Sequence, residues 1–220
     1  AHELNQPLTA IQLNAELIDT AISQNDGHQN VAAQEAMRDL IKDNQRAANI
    51  IKTLRAMFGS GRKSLTQFDL NGLIQDVVSL CRAKINKENI TLTLELHTGV
   101  ILVTADQSQL QQVLLNLITN AIDAFEARTS KPKHIHVTSR LENGKAVLSV
   151  ADNGMGIAPE IADSIFELLR TNKVEGMGIG LWLSQTIISA HQGTISFDTQ
   201  LGKGSTFYVK LPITTEDMIF

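Results

Sequence analysis

The chain has 220 residues, 43% of them hydrophobic and 19% charged, with a formal net charge of −4. That is ordinary for a soluble globular protein and long enough for one large domain or two modest ones. No basic tract interleaves with aromatics, which argues against nucleic acid, and a single cysteine, Cys81, excludes an internal disulfide and four-cysteine zinc arrangements. No apolar run approaches eighteen residues and no signal sequence is evident, so neither secretion nor membrane contact is expected of this stretch. Ala1 already lies within a helical periodicity, and the chain reads as part of a longer protein.

From Leu4 the apolar residues Leu4, Leu8, Ile11, Ala15, Ile18 and Ile22 alternate gaps of four and three, a heptad seam. After the turn-forming stretch from Asn25 to Asn30 a second seam reads Met37, Leu40, Asn44, Ala47, Ile51, Leu54 and Phe58. Two such helices predict an antiparallel hairpin. One hairpin has too little surface to bury both seams, so a homodimeric four-helix bundle is expected. With Leu8 at an a position, His2 falls at b, facing solvent, with Glu3 beside it and Gln6 one turn on. An incidental surface histidine is one reading. Pro7 favours another, because proline inside a helix costs roughly 3 kcal/mol and a local kink beside a reactive side chain gives that cost a purpose.

A short connector around Gly59–Lys63 ends the heptads, and the domain boundaries are set at 1–58, a linker at 59–67 and a second domain at 68–215. In the second domain Asp69 is placed as the N-cap of a helix carrying Leu70, Leu73, Ile74, Val77, Val78 and Cys81. Strands are expected from Ile90 to Leu96 and from Val100 to Val103. Asp106 caps a helix over about 107–128, and strands follow near 134–141 and 145–151. A closing hairpin pairs Thr194–Thr199 with Ser205–Leu211 around LGKG.

The chemistry gathers between Ala151 and Leu181. In ADNGMGI, Asp152 ends an alternating strand just before Gly154 and Gly156, offering a carboxylate to an exocyclic amine such as that of adenine. In GMGIGLWLS, Gly176, Gly178 and Gly180 run into a helix, so bare amides and the positive end of a helix dipole meet, which suits phosphate. A Walker A ending and a dinucleotide-fold acid are both missing. On the helix near 107–128, Asn116, Asn120 and Asp123 form a polar stripe that is either its wet side or one wall of a cleft. In the second case Asn120 is the Mg²⁺ candidate and Asn116 its assistant, since Mg²⁺ takes few protein oxygens and completes its shell with water and phosphates. Arg170 and Lys173, on the connector before the second glycine pair, are either solvated or placed to neutralise a phosphate. His134 and His136 share one strand face, where an exposed edge is expected, and His28, His97 and His191 are read as surface or helix-end residues.

These stretches resemble the sensor histidine kinases of two-component systems over almost the entire chain. AHELNQPLTAI is similar to that family's H box, LLNLITNAIDAF to its N box, ADNGMGI to G1, SIFELLRTNK to the F box, GMGIGLWLS to G2 and LGKGSTF to the third glycine motif, in the family's order. The resemblance implies an α+β protein: an antiparallel two-helix hairpin, paired into a four-helix bundle, followed by an α/β sandwich shared with DNA gyrase and a class of heat-shock chaperones. It further implies that His2 accepts phosphate from ATP, that Glu3 takes its proton, and that Gln6 orients water for dephosphorylating a response regulator. Asn116 and Asn120 would serve Mg²⁺ and phosphate and Asp152 the adenine. Gly154, Gly156, Arg170, Lys173, Gly176, Gly178, Gly180 and Leu181 would line the nucleotide. Leu168 and Leu169 stand where the family often has Pro and Phe, and Asn172 where Thr is common. Only Val174 and Glu175 separate Lys173 from Gly176, a short lid. The implied partners are a second copy and a receiver domain, in the cytoplasm. The competing readings are a nucleotide-binding adaptor and an ATP-driven conformational clamp.

Overall fold

The computed structural model describes residues 11–16, 18, 36–41, 44, 64–125, 132–168 and 178–214. The chain divides into two compact units, Ala1–Gly61 and Arg62–Phe220. In the first, residues 11–16, 18, 36–41 and 44 are helical. Ile18 and Ala36 are buried, whereas Leu13, Met37 and Ile41 stand exposed. Met37 belongs to the expected seam, but the residue turned inward within one chain is its neighbour Ala36.

The second unit runs β1 (Leu65–Asp69), α1 (Leu70–Lys87), β2 (Ile90–Glu95), β3 (Leu102–Asp106), α2 (Gln107–Asp123), β4 (Lys133–Glu142), β5 (Lys145–Asp152), α3 (Pro159–Ala162), α4 (Gly180–Ala190), β6 (Thr194–Gln200) and β7 (Gly204–Pro212). Five strands form one sheet in the order β2-β4-β5-β7-β6, and β1 pairs with β3 apart from it. The β2–β4 pair is parallel; the other pairs of the large sheet are antiparallel.

Side-chain parity explains the layering. On one face Val137, Val150 and Phe207 sit in register, as do Leu148 and Val209 and Ala146 and Leu211. These join Leu70, Ile74 and Val77 of α1, Leu114, Leu117 and Ile118 of α2 and Leu183, Ile187 and Ile188 of α4 in a single core. Each Val, Leu, Ile or Phe side chain taken from water contributes about 1.5–3 kcal/mol. The opposite parity is polar. Thr138, Ser149, Tyr208 and Ser196 align across four strands, and the Thr138 and Ser149 hydroxyls are 2.7 Å apart. A strand with one apolar parity needs one covering layer, so the unit is a two-layer sandwich.

Two helix starts follow from their caps. Asp69 Oδ1 accepts from the Asn71 N–H at 3.1 Å and from the Ile101 N–H at 3.0 Å. Asp106 Oδ1 accepts from the Gln109 N–H at 3.1 Å and from Ser108 Oγ at 2.6 Å. Desolvation pushes the Asp106 carboxyl up, but these donors outweigh it and hold the group below the usual carboxylate range. Cys81 is buried; burial pushes its thiol up against a weaker pull from Lys84, the state of an inert core thiol.

Four expectations need correction. Leu65–Asp69 form β1 and pair with β3, so the stretch read as linker up to 67 already carries a strand. The strand expected at Val100–Val103 lies at Leu102–Asp106, because its register is set by β1. Helix α2 stops at Asp123, with Ala124 as C-cap, rather than near 128. Finally, β4 is an interior strand, flanked by β2 and β5, so His134 and His136 do not lie on an edge strand.

Candidate functional site

Helix α2 carries Asn116 and Asn120, and its C-cap Ala124 follows one turn on along the same stripe. Two glycines seat other backbone directly on it. A Cβ on Gly180 would collide with the Asn116 side chain, and a Cβ on Gly154 would stand 2.6 Å from the Ala124 carbonyl oxygen. The Met155 N–H donates to that oxygen at 3.0 Å. One glycine segment is therefore fixed at each end of the stripe, with Asn120 on the turn between them.

The start of α4 is held from below. Asn116 Nδ2 donates to Ser184 Oγ at 3.0 Å, and Ser184 Oγ donates to the Gly180 carbonyl at 2.9 Å. Ser184 is buried. Gly178 takes the left-handed φ of 63° that leads into the helix, and Ile179, the N-cap, supplies no side-chain hydrogen bond. Ile179 thus gives the first N–H groups of α4 no side-chain cap, a condition that suits an anion. Leu181 is partly buried and packs its side chain against the core.

Asp152 continues the parity of Leu148 and Val150, so its carboxylate stands on the helix-covered face of the sheet, in register with Ile135 and Ser205. Its Oδ1 accepts from the Gly154 N–H at 2.8 Å, which fixes the rotamer. The β6–β7 hairpin then locks the glycine loop. Gly156, at φ 69°, has its Cβ direction against the Gln200 carbonyl, and Gly204, at φ 115°, lies on the Asp152 carbonyl. The Gly202 N–H donates to the Met155 carbonyl at 2.7 Å. The Ile157 N–H donates to Thr199 Oγ1 at 2.9 Å, and that hydroxyl lies 2.9 Å from Ser205 Oγ. Sequence reasoning gave no role to Thr199, Ser205 and Ser184: the two serines stand inside quoted glycine motifs and Thr199 on the hairpin, but the partners of all three hydroxyls are set by the fold.

Asp123, the third member of the polar stripe, accepts from Lys84 Nζ of α1 at 2.8 Å and belongs to an exposed interhelix ion pair. His136 Nε2 is 3.2 Å from a Glu95 oxygen, without hydrogen-bond geometry. His191, read as a surface or helix-end residue, caps α4 and is buried. Among the described residues no three His, Cys, Asp or Glu side chains cluster as a metal site. A divalent ion held here would rest on amide oxygen, phosphate and water, a donor set that suits Mg²⁺.

Between the glycine segments Ile165 is buried, and Phe166 meets Phe197 edge-on at 5.9 Å while Phe197 stacks on Phe207 at 5.8 Å. This anchors the near end of the connector to the sheet. Arg170, Lys173 and Gly176 lie outside the described residues, as do His2, Glu3 and Gln6.

Residues 105–215 match the family model described as histidine kinase-, DNA gyrase B-, and HSP90-like ATPase, and residues 1–58 match the His Kinase A (phospho-acceptor) domain. The sensor histidine kinase ZraS of Escherichia coli K12 is 34% identical over 97% of this chain and 44% of its own length. The chain spans about half the length of the curated relatives it matches, or less. The catalytic domain of histidine kinase ThkA aligns at 35% identity and TM-score 0.61, over 69% of this chain and 99% of that one. ThkA in complex with the response regulator protein TrrA aligns at 28% identity and TM-score 0.72, over 99% of this chain and 60% of that one. With a phospho-acceptor domain preceding an ATPase domain of this fold, the chain belongs to the sensor histidine kinases of two-component systems.

Proposed function

We propose that the protein is an ATP-dependent protein-histidine kinase that phosphorylates its own His2 and passes the phosphoryl group to an aspartate of a response regulator. The observation that carries this reading is the seating of Gly154 and Gly180 on the stripe of α2 that carries Asn116 and Asn120, with Asp152 tied to the Gly154 N–H. Asp152 accepts the adenine amine, while the backbone at Gly154 and Gly156 lets the base approach closely. The N–H groups that open α4 at Gly178 and Gly180, with Gly176 and Leu181 beside them, receive the phosphates. Asn120, assisted by Asn116, holds Mg²⁺, which neutralises phosphate charge when bound. Arg170 and Lys173 complete the phosphate shell from the lid.

In this reading the parts are a phosphotransfer domain at 1–58 and a catalytic domain at 68–215. The homodimer forms through the helical hairpin, and exposed Leu13, Met37 and Ile41 supply apolar surface for a second copy to cover. Glu3 takes the His2 proton as the N–P bond forms and the bond from the γ-phosphorus to the bridging oxygen breaks, releasing ADP. Gln6 then positions water against the regulator's phosphoaspartate, its amide holding that water as donor and acceptor. Among the described residues no helix is long and apolar enough to cross a membrane, which suits a domain working in the cytoplasm.

The test is labelling with γ-labelled ATP. Acid-labile protein-bound phosphate is expected in the parent and none in His2→Gln, with ATP affinity unchanged within a few fold. Label that survives acid, or that persists in His2→Gln, refutes the assignment. Gln6→Ala should leave this labelling intact while slowing decay of the phosphorylated regulator; parallel loss of labelling would return Gln6 to the helix surface.

A further inference from the structure

His191 is buried at the C-terminal end of α4, and both of its ring nitrogens have partners whose chemistry admits no choice. Nδ1 lies 2.8 Å from the Ile187 carbonyl oxygen, which can only accept, so Nδ1 carries the proton. Nε2 lies 3.0 Å from the Asp106 backbone nitrogen, whose N–H can only donate, so Nε2 is bare. The ring is therefore a neutral Nδ1–H imidazole bridging the last turn of α4 to the N-cap of α2. The helix end around it is closed by Gln192 at a left-handed φ of 58° and by the Gly193 N–H donating to the Ile188 carbonyl at 2.9 Å.

We propose that His191 is a positioning residue for the nucleotide site, resting on the function read above. The helices α2 and α4 run antiparallel, joined at one end by Asn116–Ser184 and at the other by Asp106–His191. One tie leaves a helix free to pivot or slide by a fraction of a turn; two ties about 10 Å apart along α4, at a rise of roughly 1.5 Å per residue, remove both motions. The opening amides of α4 and the amides of Asn116 and Asn120 stand on opposite helices. The distance between them is set by this pair of ties, by the seat of Gly180 on Asn116 and by apolar contacts, which resist sliding weakly because Leu and Ile surfaces carry no direction. His191 touches no ligand and acts through the phase of α4.

Two substitutions separate this role from simple helix capping. In His191→Asn the amide nitrogen takes the place of Nδ1 and keeps the bond to Ile187, but nothing reaches Asp106. In His191→Gln the amide oxygen takes the place of Nε2 and can accept the Asp106 N–H. With both variants folded by circular dichroism, ATP binding in the presence of Mg²⁺, measured by titration calorimetry on the full chain, should weaken roughly tenfold in His191→Asn and less than threefold in His191→Gln. The reverse order means that only the local cap matters and overturns the proposal. ATP affinity of His191→Asn equal to the parent does the same while leaving nucleotide binding in place; a parent that binds no ATP overturns the functional reading itself. Should His191→Asn not fold, imidazole ¹⁵N shifts of the parent decide the matter. An Nδ1–H tautomer supports the tie, and an Nε2–H tautomer excludes it.

Discussion

Gly144 and Gly156 allow a conformational cost to be separated from a steric one. Both are left-handed, with φ of 70° and 69°. A Cβ on Gly144, in the β4–β5 turn, meets nothing within 4 Å, whereas one on Gly156 runs into the Gln200 carbonyl. Alanine in this region of φ costs roughly 1–2 kcal/mol at either site, partly offset by the smaller entropy of the unfolded alanine chain, about 0.4–1 kcal/mol. Gly144→Ala should therefore lose about 1 kcal/mol. Gly156→Ala adds overpacking of about 1–3 kcal/mol, and the atom in its way is backbone, which cannot swing aside as a side-chain tip does. Its loss should total about 2–4 kcal/mol. For a unit of this size each kcal/mol moves Tm by roughly 2–4 °C, so the two variants should melt several degrees apart. Because Gly156 is pinned to the hairpin that also carries Gly204 against Asp152, Gly156→Ala should also weaken ATP binding at least tenfold, and Gly144→Ala should leave it unchanged. Thermal melts with titration calorimetry on the pair decide this. Equal Tm values would refute the steric argument, and equal ATP affinities would remove the loop from the site.

Asp152→Asn keeps an oxygen for the Gly154 N–H but turns a donor toward the adenine amine, so ATP affinity should fall more than tenfold with Tm nearly constant; unchanged affinity would exclude Asp152 from base recognition. Asn120→Asp should alter the Mg²⁺ dependence of nucleotide binding, and superimposable Mg²⁺ titrations of variant and parent would remove Asn120 from the metal. The lowered Asp106 carboxyl sets a pH dependence. Its folded value lies below the unfolded one of about 3.9, so its stabilisation is fully present above that unfolded value and is lost as pH falls through the folded one. Asp106→Asn, which keeps a capping oxygen, should flatten the Tm profile across that acid window and leave Tm at pH 7 within about 1–2 °C, since Asn caps as well as Asp; an unaltered acid profile would refute this.

Local chemistry alone placed much of the molecule. The caps at Asp69 and Asp106, the buried faces of α1 and α2 and the β6–β7 hairpin all follow from periodicity and short-range hydrogen bonding, which the residues concerned satisfy among themselves. The glycine pairs were legible for a similar reason, since backbone without a Cβ is conspicuous wherever it occurs. The limits of α2 were not, because what ends it is Ala124, a good helix former whose carbonyl instead receives the Met155 N–H from a loop some thirty residues on.

Tertiary structure alone decided what each of those parts faces. Asp123 shared the polar stripe of Asn116 and Asn120, yet Lys84 of a neighbouring helix claims it. His191 read as a surface or helix-end residue until Asp106 was brought to its second nitrogen. Leu65–Gln67, the first part of β1, passed for linker because a short strand shows itself only when β3 pairs with it. In each case the deciding partner lies many residues away. Periodicity reports which face of an element is apolar, and caps report where it starts. Which surface that face meets is fixed by strand order and helix packing, and no residue of the element records those by itself.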